Sequence, residues 1–295
     1  MNERSGSNLK AKLILLAGVF SCSMSSAFFR YMTAPSTIAA TYRLGWTVLL
    51  LTPLIFSKRE TRKELLSLKG KDLAFCGLSG LLLAMHFVVW FESLSNTSIA
   101  SSTVLVNTEV AFAAVGYLIF CGKKIRKKEI LAIGIAFLGS VVIAMADTGG
   151  GAGKNAVLGD ILALLAAFFS ACYTLIGTRE RSHMSTMVYT YVLYWGCFLS
   201  LLVFDAVSGV PMTGYEPINW IMSLCLAVFC TLLGHSVFSW SLKFLTPTYV
   251  STVKLAGPGF ASVSAILLFG EIPGLIQVAG AAVVLAGVYL YAKNS

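Results

Sequence analysis

The stretch "VLVNTEVAFAAVGYLIF" (104–120) is apolar almost throughout and carries one carboxylate, Glu109. It lies about ten residues into its segment, roughly 15 Å along a helix. A charge at that depth marks a substrate or ion pathway, or else a structural carboxyl held between helices. Lys254 lies in another apolar segment. Either it snorkels to the surface or it pairs with Glu109 across about 8 Å, leaving room for a substrate group. Arg43 can attract a carboxylate or anchor its segment near the head groups. His86 and His235 can exchange protons near neutral pH or serve as hydrogen-bonded packing groups. Trp90, Trp240 and Tyr173 offer aromatic faces that can hold a cation or simply pack. Gly257-Pro258-Gly259 weakens a helix and removes a backbone donor, so it can bend the segment and bare carbonyls. No nucleophile–base pair, HExxH or metal-ligand spacing accompanies these residues, which argues against catalysis and a bound metal.

The segments around them are greasy. The 295 residues are 57% hydrophobic and 12% charged, against about 25% charged in a soluble domain. Such a chain cannot cover a globule in water, so it reads as an integral membrane protein. Spans of roughly 20 apolar residues are expected near 12–30, 37–56, 73–93, 99–121, 129–146, 157–178, 186–207, 218–242, 248–270 and 274–292. With the N-terminus inside, 18 of the 22 Lys and Arg fall in inside segments, and only Arg30 and Lys154 fall outside. Arg43 and Lys254 are the two within spans. The net charge of +9 is therefore a property of loops beside a bilayer, not of a nucleic-acid-binding face. The seven cysteines lie in or beside apolar runs and read as small buried hydrophobes.

The sequence also repeats. An offset of 148 aligns 92–125 with 240–273 without a gap, and further on it aligns Gly139 with Gly287. Five spans per repeat is odd, so the second half runs through the membrane upside down. Inverted repeats of this kind belong to secondary transporters, with the site near mid-membrane between halves. The expected organisation is a first five-helix repeat (1–146), an external connector (147–155) and a second five-helix repeat (156–295).

The order and spacing of "LVNTEVAF" (105–112), "LAGPGFASVSAILLFGE" (255–271), "LGDILALLAAFFSACY" (158–173) and "LGHSVFSWSLKFL" (233–245) resemble the drug/metabolite transporter superfamily, in its EamA-type branch. Val110, Lys123 and Gly257 depart from the family pattern, which has Pro, Glu and an acidic residue there. The resemblance implies an all-α membrane protein of ten helices around a central cavity, working by alternating access without an ATPase or cofactor. It brings Asn107 of the "LVNT" motif into the candidate substrate site. The expected cargo is a small polar metabolite, such as an amino acid or related zwitterion or cation. Protons or another ion are the candidate coupling species, and lipids are the surrounding partner. Monomer and homodimer remain open, as does the alternative of a membrane-embedded enzyme or a sensor.

Loop charge fixes the expected orientation, with both termini in the cytoplasm and the chain in the cytoplasmic membrane. A reporter enzyme active only outside the cell, fused after Ser295, is expected to be silent. Activity there would sink the ten-span reading.

Overall fold

The computed structural model describes residues 2–109, 111–113, 115–116, 126–147, 154–180, 183–235, 237, 241, 253 and 256–294. These are helical, with no strand among them. In chain order the helices are α1 (Asn2–Ser23), α2 (Ser25–Arg30), α3 (Ser36–Ser57), α4 (Arg59–Leu66), α5 (Gly70–Asn96) and α6 (Ile99–Val106). There follow α7 (Lys127–Asp147), α8 (Ala156–Glu180), α9 (Thr186–Val207) and α10 (Pro217–Cys225), the last continued by a π-helix, Leu226–His235. Then come α11 (Gly257–Phe269) and α12 (Leu275–Asn294).

Among the described residues, six stretches are long and apolar enough to cross a membrane: Lys10–Arg30, Ser36–Ser57, Gly70–Asn96, Ala156–Gly177, Thr186–Val207 and Pro217–Gly234. They coincide with the expected first, second, third, sixth, seventh and eighth spans. Ile99–Ala113, Gly257–Phe269 and Leu275–Tyr291 are shorter apolar helices. Not foreseen is α4, a short charged helix in the expected loop after the second span, with no buried residue. The expected connector falls partly outside the described residues.

Burial is inverted relative to a water-soluble protein. Large apolar side chains face outward, with Val207 82% and Leu267 78% exposed, while Arg43, Asp205, Asn219 and many serines and threonines are buried. That is the arrangement lipid requires, because hydrocarbon offers a polar group no partner. Local sequence supports it. Thr41, Thr47 and Thr52 bond back to the carbonyls of Thr37, Arg43 and Val48, so hydroxyls inside α3 need no water. Ser98 and Ser185 cap α6 and α9 by accepting the Ser101 and Val188 N–H groups.

The bundle is organised by helix pairs far apart in sequence. α5 packs on α8 and α9, α3 on α9, α6 on α8 and α11, and α1 on the π-helix. A close crossing joins α7 and α12 through small residues. A Cβ on Gly139 would lie 2.6 Å from the Val284 nitrogen and 2.9 Å from the Gly280 oxygen. A Cβ on Gly287 would lie 2.5 Å from the Ala136 nitrogen and 2.8 Å from the Ala132 oxygen. These contacts interchange under the 148-residue offset. With lipid on all sides, such backbone approach is what holds the pair together.

Gly139→Val or Gly287→Val must therefore push the helices apart, at a cost of about 1–3 kcal/mol. Each is expected to lower the melting temperature and the yield of monodisperse protein. Gly134→Ala on the same helix, with nothing within 4 Å of the new methyl, is expected to be neutral.

Candidate functional site

Three helices are interrupted at one level of the bundle, and a cavity of about 170 Å³ opens there. At about 30 Å³ of liquid volume per water, it has room for roughly five or six waters, or one small solute. The first interruption is at Met24, between α1 and α2, within the run "SCSMSS" (21–26). The second is a turn at Asn107–Thr108. There the backbone tightens to three-residue bonds, Asn107 N–H to Val104 O and Thr108 N–H to Leu105 O. The Thr103 carbonyl, released by that change, accepts Asn107 Nδ2 at 2.6 Å. The third is the start of α11 at Gly257, with Pro258 in its first turn, where a missing N–H costs nothing. Gly257-Pro258-Gly259 thus occupies the first turn of α11, and residues 254–255 just before it lie outside the described residues. Glu109 and Gly257 are equivalent under the 148-residue offset, so both halves break at matching positions.

Ser23, Ser25, Ser26, Arg43, His86, Phe87, Trp90, Thr103, Asn107, Glu109, Ser170, Tyr173, Gly257 and Pro258 are among the lining residues. Arg43 is 2% exposed. Its Nε donates to Thr231 Oγ1 at 3.0 Å and its NH1 to Ser25 Oγ at 3.2 Å, and the guanidinium stands 4.3 Å over the Phe87 ring. Head-group anchoring is thus not its role. Thr231 belongs to the π-helix, and its hydroxyl also donates to Leu226 O, five residues back. The wide turn presents that hydroxyl to the arginine, a common use of π geometry at functional sites. The stacking and the two hydrogen bonds offset part of the cost of burying the charge.

Glu109 accepts a short hydrogen bond from Ser170 Oγ. Among the described residues, neither Glu109 nor Arg43 is in an ion pair, although both line the cavity. His86 Nδ1 lies 2.9 Å from the Ala166 carbonyl. A carbonyl can only accept, so Nδ1 carries the proton and neutral His86 keeps an acceptor at Nε2. Its ring stacks on Trp90 at 6.1 Å. Trp90 Nε1 is buried without a hydrogen bond, an unused donor on the cavity wall.

Seven of the nine sequence candidates are described, at least in their backbones. Arg43, His86, Trp90, Asn107, Glu109 and Tyr173 converge on the cavity, together with Gly257 and Pro258. The His235 backbone ends the π-helix, and its side chain lies outside the described residues, as do Lys254 and Trp240. Sequence reasoning missed Ser23, Ser25, Ser26, Thr103, Ser170, Phe87 and Thr231. Only the "SCSMSS" run, polar inside an apolar span, carried a visible signal.

Beyond the cavity, where α2 and α11 end and α6 begins, polar contacts close the bundle. Arg30 NH1 bridges Glu271 Oε1 at 2.8 Å, and its NH2 donates to Thr97 O at 2.7 Å. Glu271 Oε2 accepts the Ile99 N–H at 3.0 Å. Thr97 Oγ1 donates to Asp160 Oδ1 at 3.0 Å.

The described cysteines are free.

Comparison with known proteins bears on this arrangement. The model of the EamA-like transporter family matches the chain twice, over residues 9–145 and 157–292. An uncharacterized transporter from Archaeoglobus fulgidus is 26% identical over 82% of this chain and 84% of its own length. A probable amino-acid metabolite efflux pump from Salmonella typhimurium is 27% identical over 60% of this chain and 61% of its own. The pseudopaline exporter of Pseudomonas aeruginosa is 22% identical over 90% and 93%. One crystal structure superposes on 95% of this chain and 96% of its own with a TM-score of 0.64 at 14% identity, a likeness of fold.

Thr231→Val keeps the shape of the π-helix residue and removes the acceptor for Arg43 Nε. An unsatisfied buried donor costs about 1–3 kcal/mol, so the melting temperature is expected to fall. Thr231→Ser is expected to restore it. Equal stability of the valine and serine variants would show that this hydrogen bond contributes nothing.

Proposed function

The chain belongs to the EamA-like transporter family, and we propose that it is a secondary transporter that moves a small zwitterionic metabolite, of the amino-acid class, by alternating access. One observation carries the substrate class. Arg43 and Glu109 line the same small cavity, and among the described residues neither is ion-paired. A guanidinium held away from a carboxylate leaves a place for a solute with both charges. Its carboxylate would meet Arg43 and the unused Trp90 N–H, and its ammonium would meet Glu109. The fork of Arg suits a carboxylate better than a point charge does. The name of the Salmonella relative, an amino-acid metabolite efflux pump, agrees with this cargo and with export.

Alternating access needs two halves that can rock about the site. The repeat of five plus five helices is supported by the family model matching each half separately. Breaks at Glu109 and Gly257, one repeat apart, support it further. The half-helix N-terminus at Gly257 brings partial positive charge to the cavity wall, as discontinuous transporter helices do. Arg30–Glu271 and the contacts around it close one end, which we assign to the outside from the loop charges. His86 Nε2 and the Glu109–Ser170 pair are the candidate proton-handling groups, should protons drive the cycle. The basic loops support an orientation with both termini in the cytoplasm.

Glu109→Gln keeps the shape and removes the ionisation. In proteoliposomes, counterflow of labelled amino acids is expected to fall tenfold or more, about 1.4 kcal/mol, with the melting temperature nearly unchanged. Counterflow at the normal rate would leave Glu109 as a structural carboxyl and overturn the zwitterion assignment.

A further inference from the structure

A second convergence of side chains lies far from the cavity. Asp72 is in the first turn of α5, Glu180 ends α8, and His183 stands in the turn before α9. Asp72 and His86 are separated on α5 by about four turns, roughly 20 Å. One possible ligand atom from each of Asp72, Glu180 and His183 lies within 4.8 Å of the other two. Nε2 is 3.3 Å from Asp72 Oδ1 and 3.4 Å from Glu180 Oε2.

One nitrogen cannot serve both oxygens. It has a single proton to give, and that proton can point along only one of the two lines. The consequence falls on Glu180, whose side chain is 2% exposed and whose buried Oε2 has no hydrogen bond among the described residues. A buried carboxylate oxygen with no donor is costly. A cation at the centre of the three atoms removes that cost. The spacing fits one: with tetrahedral bonds of about 2.0–2.1 Å, two ligand atoms around Zn²⁺ lie about 3.3–3.4 Å apart. One imidazole and two carboxylates suit Zn²⁺ better than Mg²⁺ or Ca²⁺, which favour oxygen alone. The side chains of His183 and Asp72 are 48% and 21% exposed, which gives a hydrated ion a way in and a water a place as fourth ligand. Arg179 is the nearby opposing charge. Its Nε is 4.0 Å from the other Glu180 oxygen, and its guanidinium lies 4.6 Å over the Phe75 ring.

We infer that Asp72, Glu180 and His183 form a divalent transition-metal site, suited to Zn²⁺, that ties the start of α5 to the end of α8 and the turn before α9. The test uses tag-free, full-length protein in detergent. Titration with Zn²⁺ is expected to show one saturable site and a raised melting temperature. Co²⁺ in its place is expected to give visible d–d absorption without the near-ultraviolet band of a thiolate ligand. Losing even a partner of a ligand weakens metal binding about 10–100-fold, so His183→Gln, Asp72→Asn and Glu180→Gln are each expected to weaken Zn²⁺ at least tenfold. His183 is half-exposed in a turn, so its variant reports on binding even if Glu180→Gln folds poorly. Absence of saturable binding, a thiolate band, or unchanged affinity in His183→Gln would each overturn the assignment.

Discussion

A guanidinium inside a lipid-embedded bundle loses its water, and everything around it must make up the difference. Arg43 brings N–H donors only and no acceptor. It therefore needs acceptors, and it has an α1–α2 break that supplies Ser25, a π-helix that supplies Thr231, and a ring, Phe87, beneath it. The first two of those are departures from regular membrane helix. The irregular backbone gathers where a polar group has to be served, and the apolar perimeter stays regular. The cavity is the space that this irregularity leaves between helices.

The arginine's partners also bear on the proposed transport cycle. The acceptors for the buried cation come from α1–α2 and from the π-helix, which pack against each other, and the π-helix also packs on α3. A solute that takes over part of the arginine's bonding changes what those segments gain by staying together. Arg30 and Glu271, only a quarter exposed, hold the same α2 at its other end. The Arg43–Ser25 hydrogen bond and the Arg30–Glu271 bridge thus sit at the two ends of one short helix, Ser25–Arg30, through which the proposed cycle would connect them.

Much of this was legible in the sequence. Apolar run length located the six long apolar helices, because lipid permits few alternatives. Glu109, Arg43, His86 and Trp90 stood out because polar or bulky groups are conspicuous in such runs. The turn at Asn107–Thr108 was not legible, since neither Pro nor Gly marks it and the Asn107 amide supplies the missing donor only once folded. The π-helix is equally silent, because "LAVFCTLLGH" reads as ordinary apolar helix. Ser170 and Thr231 are common residue types whose meaning comes only from what faces them. Asp72, Glu180 and His183 come from three elements, so no spacing rule could gather them.

The crossing of α7 and α12 has a consequence of a different kind. Gly139 and Gly287 meet different atoms, yet both set one quantity, the distance between two helix axes. A side chain at either position widens that gap for both. Once it is widened, the second side chain finds space already made. The two positions therefore form one energetic unit, and their double variant should be less damaging than the sum of the singles.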